Sequence, residues 1–383
     1  MAHAAPIPTP SSGSVPWPLV AGAIAISSII FGLYWDISWH TTIGRDTFWT
    51  PAHLAIQFGA VLVGVSCGFL ILSTTFGSNS AARDVAVKVW GFRGPFGAFL
   101  AAWGGATMLI SAPFDNWWHD SFGLDVQIVS PPHMVLATGI FFVGIGTLVM
   151  MAGPKNRAEG AVRVSMEGLF IYIGGLLLTL YLILLSEFTD PANMHGAHFY
   201  RVLCYGTPLL LMALSRGSLL RWGATKAALL YFVLMLAGLW IFPLFPAEPK
   251  LGPVYTRVTH MVPLAFPLLM FVPALAIDWL TARMADGNKW LLSLAAGISF
   301  LLVCMAVQWP FADFMVSTHA RNPIFGMHNF PYMQPPSTYH FAWEFQPEPL
   351  RAFWQNLGIA AAAAFVSAGV GLVCGDWLRR LRR

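Results

Sequence analysis

The sequence of 383 residues contains few charged side chains. Asp, Glu, Lys and Arg make up 10% of it, whereas hydrophobic residues make up 57%. Because soluble globular domains average about 25% charged residues, this composition excludes water as the main solvent of the chain. The mean hydropathy of +0.65 supports the same conclusion. We therefore expect an all-α fold, a polytopic bundle of transmembrane helices.

Cysteine and several cofactor motifs are also scarce or missing. The four cysteines lie in apolar runs and form no CxxC pair, which argues against a disulfide framework and against a zinc–thiolate site. The sequence has no Walker motif, no GxGxxG fingerprint and no CxxCH haem attachment, so an ATPase, a dinucleotide enzyme and a c-type cytochrome are not expected. The basic residues are scattered through short loops, and nucleic acid is not an expected partner.

Long apolar runs predict ten membrane spans. They cover residues 17–35, 53–76, 94–114, 131–152, 168–186, 198–215, 227–246, 258–277, 291–309 and 353–375. The first 16 residues lack a basic region, so we expect the first span to be retained as an anchor. The predicted organisation is an N-terminal tail (1–16), a duplicated helical-hairpin region (17–152), a further transmembrane bundle (165–309), an extracytoplasmic loop (310–350) and a last span with a basic tail (351–383).

The distribution of charge predicts an orientation. Fifteen of the 21 basic residues fall in alternate loops and in the C-terminal tail, and the positive-inside rule places these segments, with both termini, in the cytoplasm. Ten of the 11 histidines, all except His3, then fall in outward loops or at outward span ends. The sequence thus predicts a multi-pass protein of the inner membrane of a bacterium, with its histidines facing the periplasm or exterior.

Two segments of the hairpin region repeat one motif. The shared frame is Asp-x2-Trp-His-x3-Gly-x-Asp, followed after a short gap by Thr or Ser, Pro, any residue and His. The first copy runs from Asp36 to His53 and the second from Asp115 to His133, with one extra residue in the gap of the second copy. Each copy joins the end of an outward-going span to the start of the next one, so the two hairpins form a tandem repeat.

The spacing within each copy predicts a metal site. An Asp and a His four residues apart lie on one face of a helix, and Pro favours the first turn of the next helix, which returns the second His to their side. One carboxylate and two imidazoles with open positions suit copper, zinc or non-haem iron. The predicted ligands, also the candidate catalytic residues, are Asp36, His40, His53, Asp115, His119 and His133. The alternative interpretation is that these clusters are interfacial anchors and helix caps.

The first copy resembles the metal-binding stretch of the C subunit of the copper membrane monooxygenases, the particulate methane and ammonia monooxygenases. The resemblance is carried by Asp36-x3-His40, Arg45-Asp46-Thr47 and Thr50-Pro51-x-His53. It implies that Asp36, His40 and His53 bind copper. It is specific over about residues 36–56, good over 114–136 and absent beyond residue 165.

The second copy resembles the neighbouring copper site of that family, whose ligands are an Asn and two His. This chain has Asp115 at the position of the Asn, an acid in place of an amide, unless Asn116 substitutes from the next position. The family's enzymes also contain an A subunit and a B subunit with a soluble copper domain. The resemblance therefore implies that catalysis by this chain requires partner subunits.

Other polar residues extend the predictions. Asp46, Asp120 and Asp125 are expected to orient the imidazoles or relay protons. His195 and His198, in an outward loop, are candidates for a third metal site or for a hydrogen-bonded helix entrance. The loop 310–350 is expected to be an ordered lid, and its His and Met residues would suit copper capture.

Three functions remain open at this point. The first is a copper-dependent monooxygenase that activates O2 to hydroxylate a small apolar substrate entering from the membrane lipid. The second is a non-catalytic copper carrier or assembly factor. The third is a structural or proton-handling subunit of a membrane redox complex. Copper is favoured over zinc or iron by the resemblance, since the ligand types also accept the other two metals.

Overall fold

The computed structural model describes residues 15–44, 49–123, 130–285 and 287–382. Within these residues the regular secondary structure is helical apart from one short hairpin, and the predicted all-α fold is confirmed. The helices are α1 (Trp17–Thr42), α2 (Pro51–Phe76), α3 (Ser80–Asp84), α4 (Phe96–Phe122), α5 (Pro131–Arg157), α6 (Gly160–Leu184), α7 (Ala197–Gly217), α8 (Gly223–Ile241), α9 (Phe271–Arg283), α10 (Lys289–Val316) and α11 (Leu350–Arg380). The hairpin pairs β1 (Val87–Val89) with β2 (Phe92–Gly94) in antiparallel register.

Eight helices of the described part of the chain are long and apolar enough to cross a membrane: α1, α2, α4, α5, α6, α8, α10 and α11. These helices are those of a multi-pass membrane protein. The predicted number of ten spans is not confirmed. The predicted span 198–215 is the helix α7, but it carries His198 and Arg201 in its first turns and is not among the eight.

The predicted span 258–277 is wrong. Residues 258–269 have no helical structure, and the 13-residue helix α9 begins only at Phe271. Pro263 and Pro267 within this stretch lack the N–H that a helix interior needs. The stretch is nevertheless largely buried, so its apolar composition reflects burial inside the protein rather than a membrane-spanning helix.

Side chains of three helices accept hydrogen bonds from backbone N–H groups of this segment (residues 258–270), which we call the extended segment. Tyr34 Oη accepts a hydrogen bond from Leu264 N–H, and Tyr231 Oη accepts one from Leu268 N–H. Gln308 Oε1 accepts a third from Leu269 N–H. Non-helical backbone at membrane depth is tolerated only where protein or a cavity surrounds it, and these side chains supply the partners that a helix would otherwise provide.

The long loop before α11 is shorter than predicted. Helix α10 continues to Val316, so the loop covers residues 317–349 instead of 310–350. It contains 3₁₀ turns at Thr318–Ala320 and Pro336–Ala342.

The chain divides into two compact units. The first unit comprises Met1–Phe31, Leu54–Leu177 and Leu378–Arg383, and the second comprises Gly32–His53 and Leu178–Trp377. The second copy of the motif therefore belongs to the first unit, and the first copy, up to and including His53, belongs to the second unit. Each predicted metal site is thus contained in one unit.

Glycine brings α4 and α5 of the first unit into close contact. A Cβ added to Gly97 would lie 2.3 Å from the carbonyl oxygen of Gly146, and one added to Gly104 would lie 2.6 Å from that of Gly139. Small residues at such interfaces let two membrane helices approach at the level of their backbones. The tight pairing matters for the site, because α4 carries Asp115 and His119 while α5 carries His133.

Candidate metal centres

The first centre forms where α1 ends and α2 begins. Asp36 and His40 lie four residues apart on the last turns of α1, and Asp36 Oδ1 is 3.7 Å from His40 Nε2. His53 lies in the first turn of α2, with its Nε2 atom 3.1 Å from the same Asp36 oxygen. One ligand atom from each of the three residues lies within 4.8 Å of the others. The structure therefore assembles the predicted set of one carboxylate and two imidazoles.

The Thr-Pro-x-His part of the motif explains how His53 reaches this position. Helix α2 begins at Pro51, and Thr50 Oγ1 accepts a hydrogen bond from the backbone N–H of His53, 3.2 Å away. A threonine at this place caps the helix and defines its first residue. The same four residues therefore cap the helix and place the imidazole of His53 beside Asp36.

The second centre repeats this arrangement between α4 and α5. Asp115 Oδ1 lies 3.3 Å from His119 Nε2 and 3.4 Å from His133 Nε2. The three ligand atoms again lie within 4.8 Å of one another. Helix α5 begins at Pro131, two residues before His133, as α2 begins two residues before His53. The predicted duplication is therefore present in the geometry as well as in the sequence.

The two centres differ in their exposure. The side chains of Asp115 and His119 are 11% and 5% exposed, and His133 is 26% exposed. In the first centre, Asp36 and His53 are 18% and 12% exposed, but His40 is 35% exposed. The second centre has the more deeply enclosed carboxylate, while the first can be reached from solvent along His40.

A backbone carbonyl orients one imidazole of the second centre. His119 Nδ1 lies 3.0 Å from the carbonyl oxygen of Gly123, the residue at which α4 ends. Because a carbonyl oxygen only accepts hydrogen bonds, Nδ1 must carry the proton. In the neutral imidazole the lone pair is then on Nε2, the atom that faces Asp115. Ligand histidines in proteins are commonly fixed in this way.

The spacing of the ligand atoms fits a bound metal ion. Two atoms that each bind one tetrahedral ion at about 2.1 Å lie roughly 3.4 Å apart. The carboxylate-to-imidazole distances are 3.3 and 3.4 Å in the second centre, and 3.1 and 3.7 Å in the first. The donor types, neutral nitrogen and carboxylate oxygen, are those that divalent transition metals accept.

The polar residues next to the ligands, which are predicted from the sequence to replace a ligand or to orient the imidazoles, are exposed or lie outside the described residues. Asn116 is exposed, and its amide donates a hydrogen bond to Asp120, 3.2 Å away. The oxygen atom that lies beside the two imidazoles of the second centre belongs to Asp115. Asp120 is exposed beside Asn116. Asp46 and Asp125 lie outside the described residues.

The predicted third site is not assembled in the described part of the chain. His195 is stacked between Trp309 and Phe345, with ring centroids 4.4 and 3.5 Å away. His198 lies 2.8 Å from a guanidinium nitrogen of Arg201, which donates to Nδ1. Neither histidine belongs to a set of three ligand atoms among the described residues. Of the two interpretations, these contacts fit the hydrogen-bonded helix entrance.

Sequence reasoning missed the carbonyl of Gly123 as a partner of His119. Gly44 and Gly123 stand at equivalent positions of the two copies, and both have a positive φ, +91° and +95°. The shared glycine was the signal, since a glycine at the end of a helix marks a backbone conformation that other residues rarely adopt.

No protein-family model, curated protein or solved structure matches the chain, so its function is inferred from its own residues.

Proposed function

We propose that the chain is a copper-binding integral membrane protein, monooxygenase-like, which activates O2 to hydroxylate a small apolar substrate. The observation that carries the proposal is the duplicated set of one carboxylate and two imidazoles at ligand spacing. Two such sets, built from the same residue types on two separate helical hairpins, are not needed for anchoring or helix capping. A shared demand for a bound cation accounts for both.

Electrostatics of the second centre supports a cation between the side chains. With its proton on Nδ1, the neutral imidazole of His119 presents a lone pair to the carboxylate of Asp115 at 3.3 Å. Two acceptors at this distance repel each other unless a metal ion or a proton lies between them. A metal ion satisfies both acceptors and His133 at once, whereas a proton satisfies one pair.

Copper is favoured for two reasons. Among divalent first-row ions, copper binds sites of nitrogen and oxygen ligands most tightly, and the motif resembles the copper-binding stretch of the copper membrane monooxygenases. Zinc and iron accept the same ligands and are the metals that the test must exclude. Asp36 and Asp115 would each offset part of the charge of the ion, and the imidazoles would leave positions open for small molecules.

The proposed setting is the inner membrane of a bacterium, with both termini in the cytoplasm. Support comes from the basic residues, which fall in the loops on the side opposite to the two motifs. The centres would then face the periplasm or exterior. An apolar substrate would reach them from the surrounding lipid.

Bound copper would supply the exchange of electrons with O2 that carboxylate and imidazole groups cannot perform alone. Monooxygenation consumes one O2, two electrons and two protons for each hydroxylated product and water formed. The chain itself holds the ligand atoms in place and orients His119 through Gly123. The electrons would come from partner subunits, as the resemblance implies.

A copper carrier or assembly factor is the second candidate, and one observation favours it. His40, a ligand of the first centre, is 35% exposed, which would allow a metal to be handed to another protein. A structural subunit of a membrane redox complex, with the same residues serving protons, is the third. The three functions differ in whether the protein holds metal and whether it forms product.

The first experiment is metal analysis of the purified full-length protein in non-chelating detergent. Wild type is compared with His40→Ala and His119→Ala, and with His260→Ala as a control histidine outside both centres and outside the loop 310–350. We expect one or two copper ions per chain, a loss of copper in each centre variant, and an EPR signal of type 2 copper with nitrogen ligands. Protein that stays metal-free after copper loading, or that takes up zinc or iron in preference, would contradict the copper proposal.

The second experiment separates enzyme from carrier. Copper-loaded protein in lipid nanodiscs is supplied with O2, a quinol as reductant and toluene as the apolar substrate. Hydroxylated toluene that disappears in His40→Ala or His119→Ala supports a monooxygenase. Stoichiometric transfer of copper to a competing chelator protein, without product, supports a carrier instead.

A further inference from the structure

A cavity of about 460 Å³ lies within the second unit, separate from the ligand atoms of the first centre. Its walls come from α1, the end of α6 with the following residues 186–191, α8, the extended segment and the loop 317–349. The volume is in the range of small-molecule sites in proteins, about 300–1,000 Å³. Nothing in the motif predicts this cavity, because its walls come from five parts of the chain that are distant in sequence.

The extended segment explains why the space exists. Residues 262–266 and Leu268 line the cavity. An extended chain is narrower than a helix and leaves space beside it. Hydrogen bonds that the segment donates to the hydroxyl oxygens of Tyr34 and Tyr231 hold it in this conformation. Ala265 presents only a methyl group, and it is exposed although the residues around it are buried or half-buried. The cavity is therefore a built feature of the fold.

The charge on the cavity wall has one sign. Glu187 and Asp190 are its acidic residues, and no Lys, Arg or His occurs among the described residues that line it. The rest of the wall is mostly apolar, with four aromatic rings: Tyr231, Phe266, Phe325 and Phe330. The two carboxylates would repel an anion. A molecule with an apolar body and one positive charge would match both parts of the wall, since aromatic faces also attract cations.

Asp190 is fixed in place by the start of a 3₁₀ turn. Its Oδ1 atom accepts a hydrogen bond from the backbone N–H of Ala192, 2.8 Å away, and the turn Pro191–Asn193 follows. One carboxylate oxygen thus positions the side chain. The surrounding protein raises the pKa of Asp190 above the ordinary aspartate range, because it excludes water from part of the carboxyl group and so disfavours the charged form, although the residue as a whole is solvent-exposed. A cation beside this carboxylate would relieve that penalty.

We propose that this cavity binds a small organic cation, an ammonium group carried on an apolar or aromatic body, with Asp190 and Glu187 as its counter-charges. The site is independent of the metal centres and does not rest on their binding copper. Ile37 and Thr41 of α1 line it, and each follows a metal-centre residue by one position. The same helix therefore contributes to both sites.

The test compares two probes of nearly equal shape and different charge. Benzyltrimethylammonium is a permanent cation, and neopentylbenzene is its neutral counterpart. Binding of each is measured by equilibrium dialysis on chelator-treated, full-length protein in lipid nanodiscs, with empty nanodiscs subtracted. We expect saturable binding of the cation, and binding of the neutral probe weaker by about tenfold or more, which corresponds to roughly 1.4 kcal/mol.

Variants locate the site. Asp190→Asn removes the charge and keeps an oxygen that can accept the hydrogen bond from Ala192 N–H. Glu187→Gln removes the charge of the second acid. We expect each to weaken binding of the cation severalfold and the double variant to abolish it. Glu248→Gln, an exposed acid outside the cavity, is the control and should bind as wild type does. Ala265→Trp fills the space and should prevent binding without removing a charge.

Several outcomes would overturn the proposal. They are equal binding of the two probes, no saturable binding of the cation, wild-type affinity in the double variant, and wild-type affinity in Ala265→Trp. Circular dichroism and gel filtration show whether each variant is folded. Since the protein is metal-free throughout, a failure here leaves the copper proposal intact, and a failure of copper binding leaves this one intact.

Acidification provides an independent measure. Among the described lining residues the titratable groups are Glu187, Asp190 and Tyr231. Because the pKa of Asp190 is raised, its charge is lost at a higher pH than for an ordinary aspartate. Affinity for the permanent cation should therefore fall as the pH decreases through this range, and Asp190→Asn should flatten that part of the profile. An unchanged profile in Asp190→Asn would contradict the role of this carboxylate.

Discussion

His119 Nδ1 and the carbonyl oxygen of Gly123 are 3.0 Å apart, one helical turn from each other at the end of α4. Gly123 has φ of +95°, a conformation that residues with a Cβ rarely adopt. The direction of this carbonyl, and with it the orientation of the imidazole, depends on a glycine at this position.

The variant Gly123→Ala tests this dependence. We expect it to weaken metal binding at the second centre by about tenfold, the lower end of what loss of such an orienting contact costs, with little effect on the first centre. Gly91→Ala is a matched control, since Gly91 has φ of +92° in the turn of the hairpin. Titration with copper would reveal both effects. Equal loss of affinity in the two variants would show that backbone strain alone is responsible.

The carboxylate ligand of the second centre is tested by two neighbouring substitutions. Asp115→Ala removes the oxygen that lies between the two imidazoles and should remove about one equivalent of metal per chain. Asn116→Ala removes an exposed amide that donates a hydrogen bond to Asp120, and should leave the metal content unchanged. Mass spectrometry of the metal in the two proteins decides between them. Loss of metal in Asn116→Ala would make the amide the ligand.

The difference in exposure predicts an order of metal loss. The first centre should release copper to a chelator before the second, because His40 is 35% exposed and His119 is 5% exposed. The measurement follows the copper content over time in His119→Ala, which retains the first centre, and in His53→Ala, which retains the second. Faster loss from the second centre would contradict the expected order.

The close packing of α4 on α5 predicts a cost for added side chains. A Cβ at position 97 would lie 2.3 Å from the backbone of α5, so Gly97→Ala should lower the free energy of unfolding by about 1–3 kcal/mol. It should also reduce metal binding at the second centre, whose ligands these helices carry. Gly64→Ala, with no heavy atom within 4 Å of the added Cβ, should be neutral or slightly stabilising. Thermal unfolding in detergent compares the two.

The hydrogen bonds to the extended segment predict the effect of removing one hydroxyl. Tyr34→Phe leaves the buried N–H of Leu264 without the Tyr34 hydroxyl and should cost about 1–3 kcal/mol. Hydrogen exchange of residues 258–270 should speed up in the variant. Tyr205→Phe is the control, since Tyr205 is 53% exposed. Unchanged exchange in Tyr34→Phe would mean that the segment does not depend on this bond.

The sequence predicted the grouping of the Asp and His side chains better than the bundle around them. The centres follow from local rules: Asp and His at four-residue spacing share a helix face, and Pro51 and Pro131 fix the start of the returning helix. The extended segment could not be predicted in this way. A buried apolar run and a membrane helix have the same composition, and the partners of the segment, such as Tyr34 and Gln308, are far away in the sequence.

The helix α1 uses two opposite faces near its end. Tyr34, Ser38 and Thr42 occupy one face, and each exchanges a hydrogen bond with the extended segment: Tyr34 accepts from Leu264 N–H, Ser38 donates to Val262 O, and Thr42 accepts from Val262 N–H. Asp36 and His40 are offset from that face by two residues, about 200° around the axis. Turning α1 about its axis would break all three bonds. These bonds thus fix the direction in which the helix presents the Asp36 and His40 side chains, before any ion is bound.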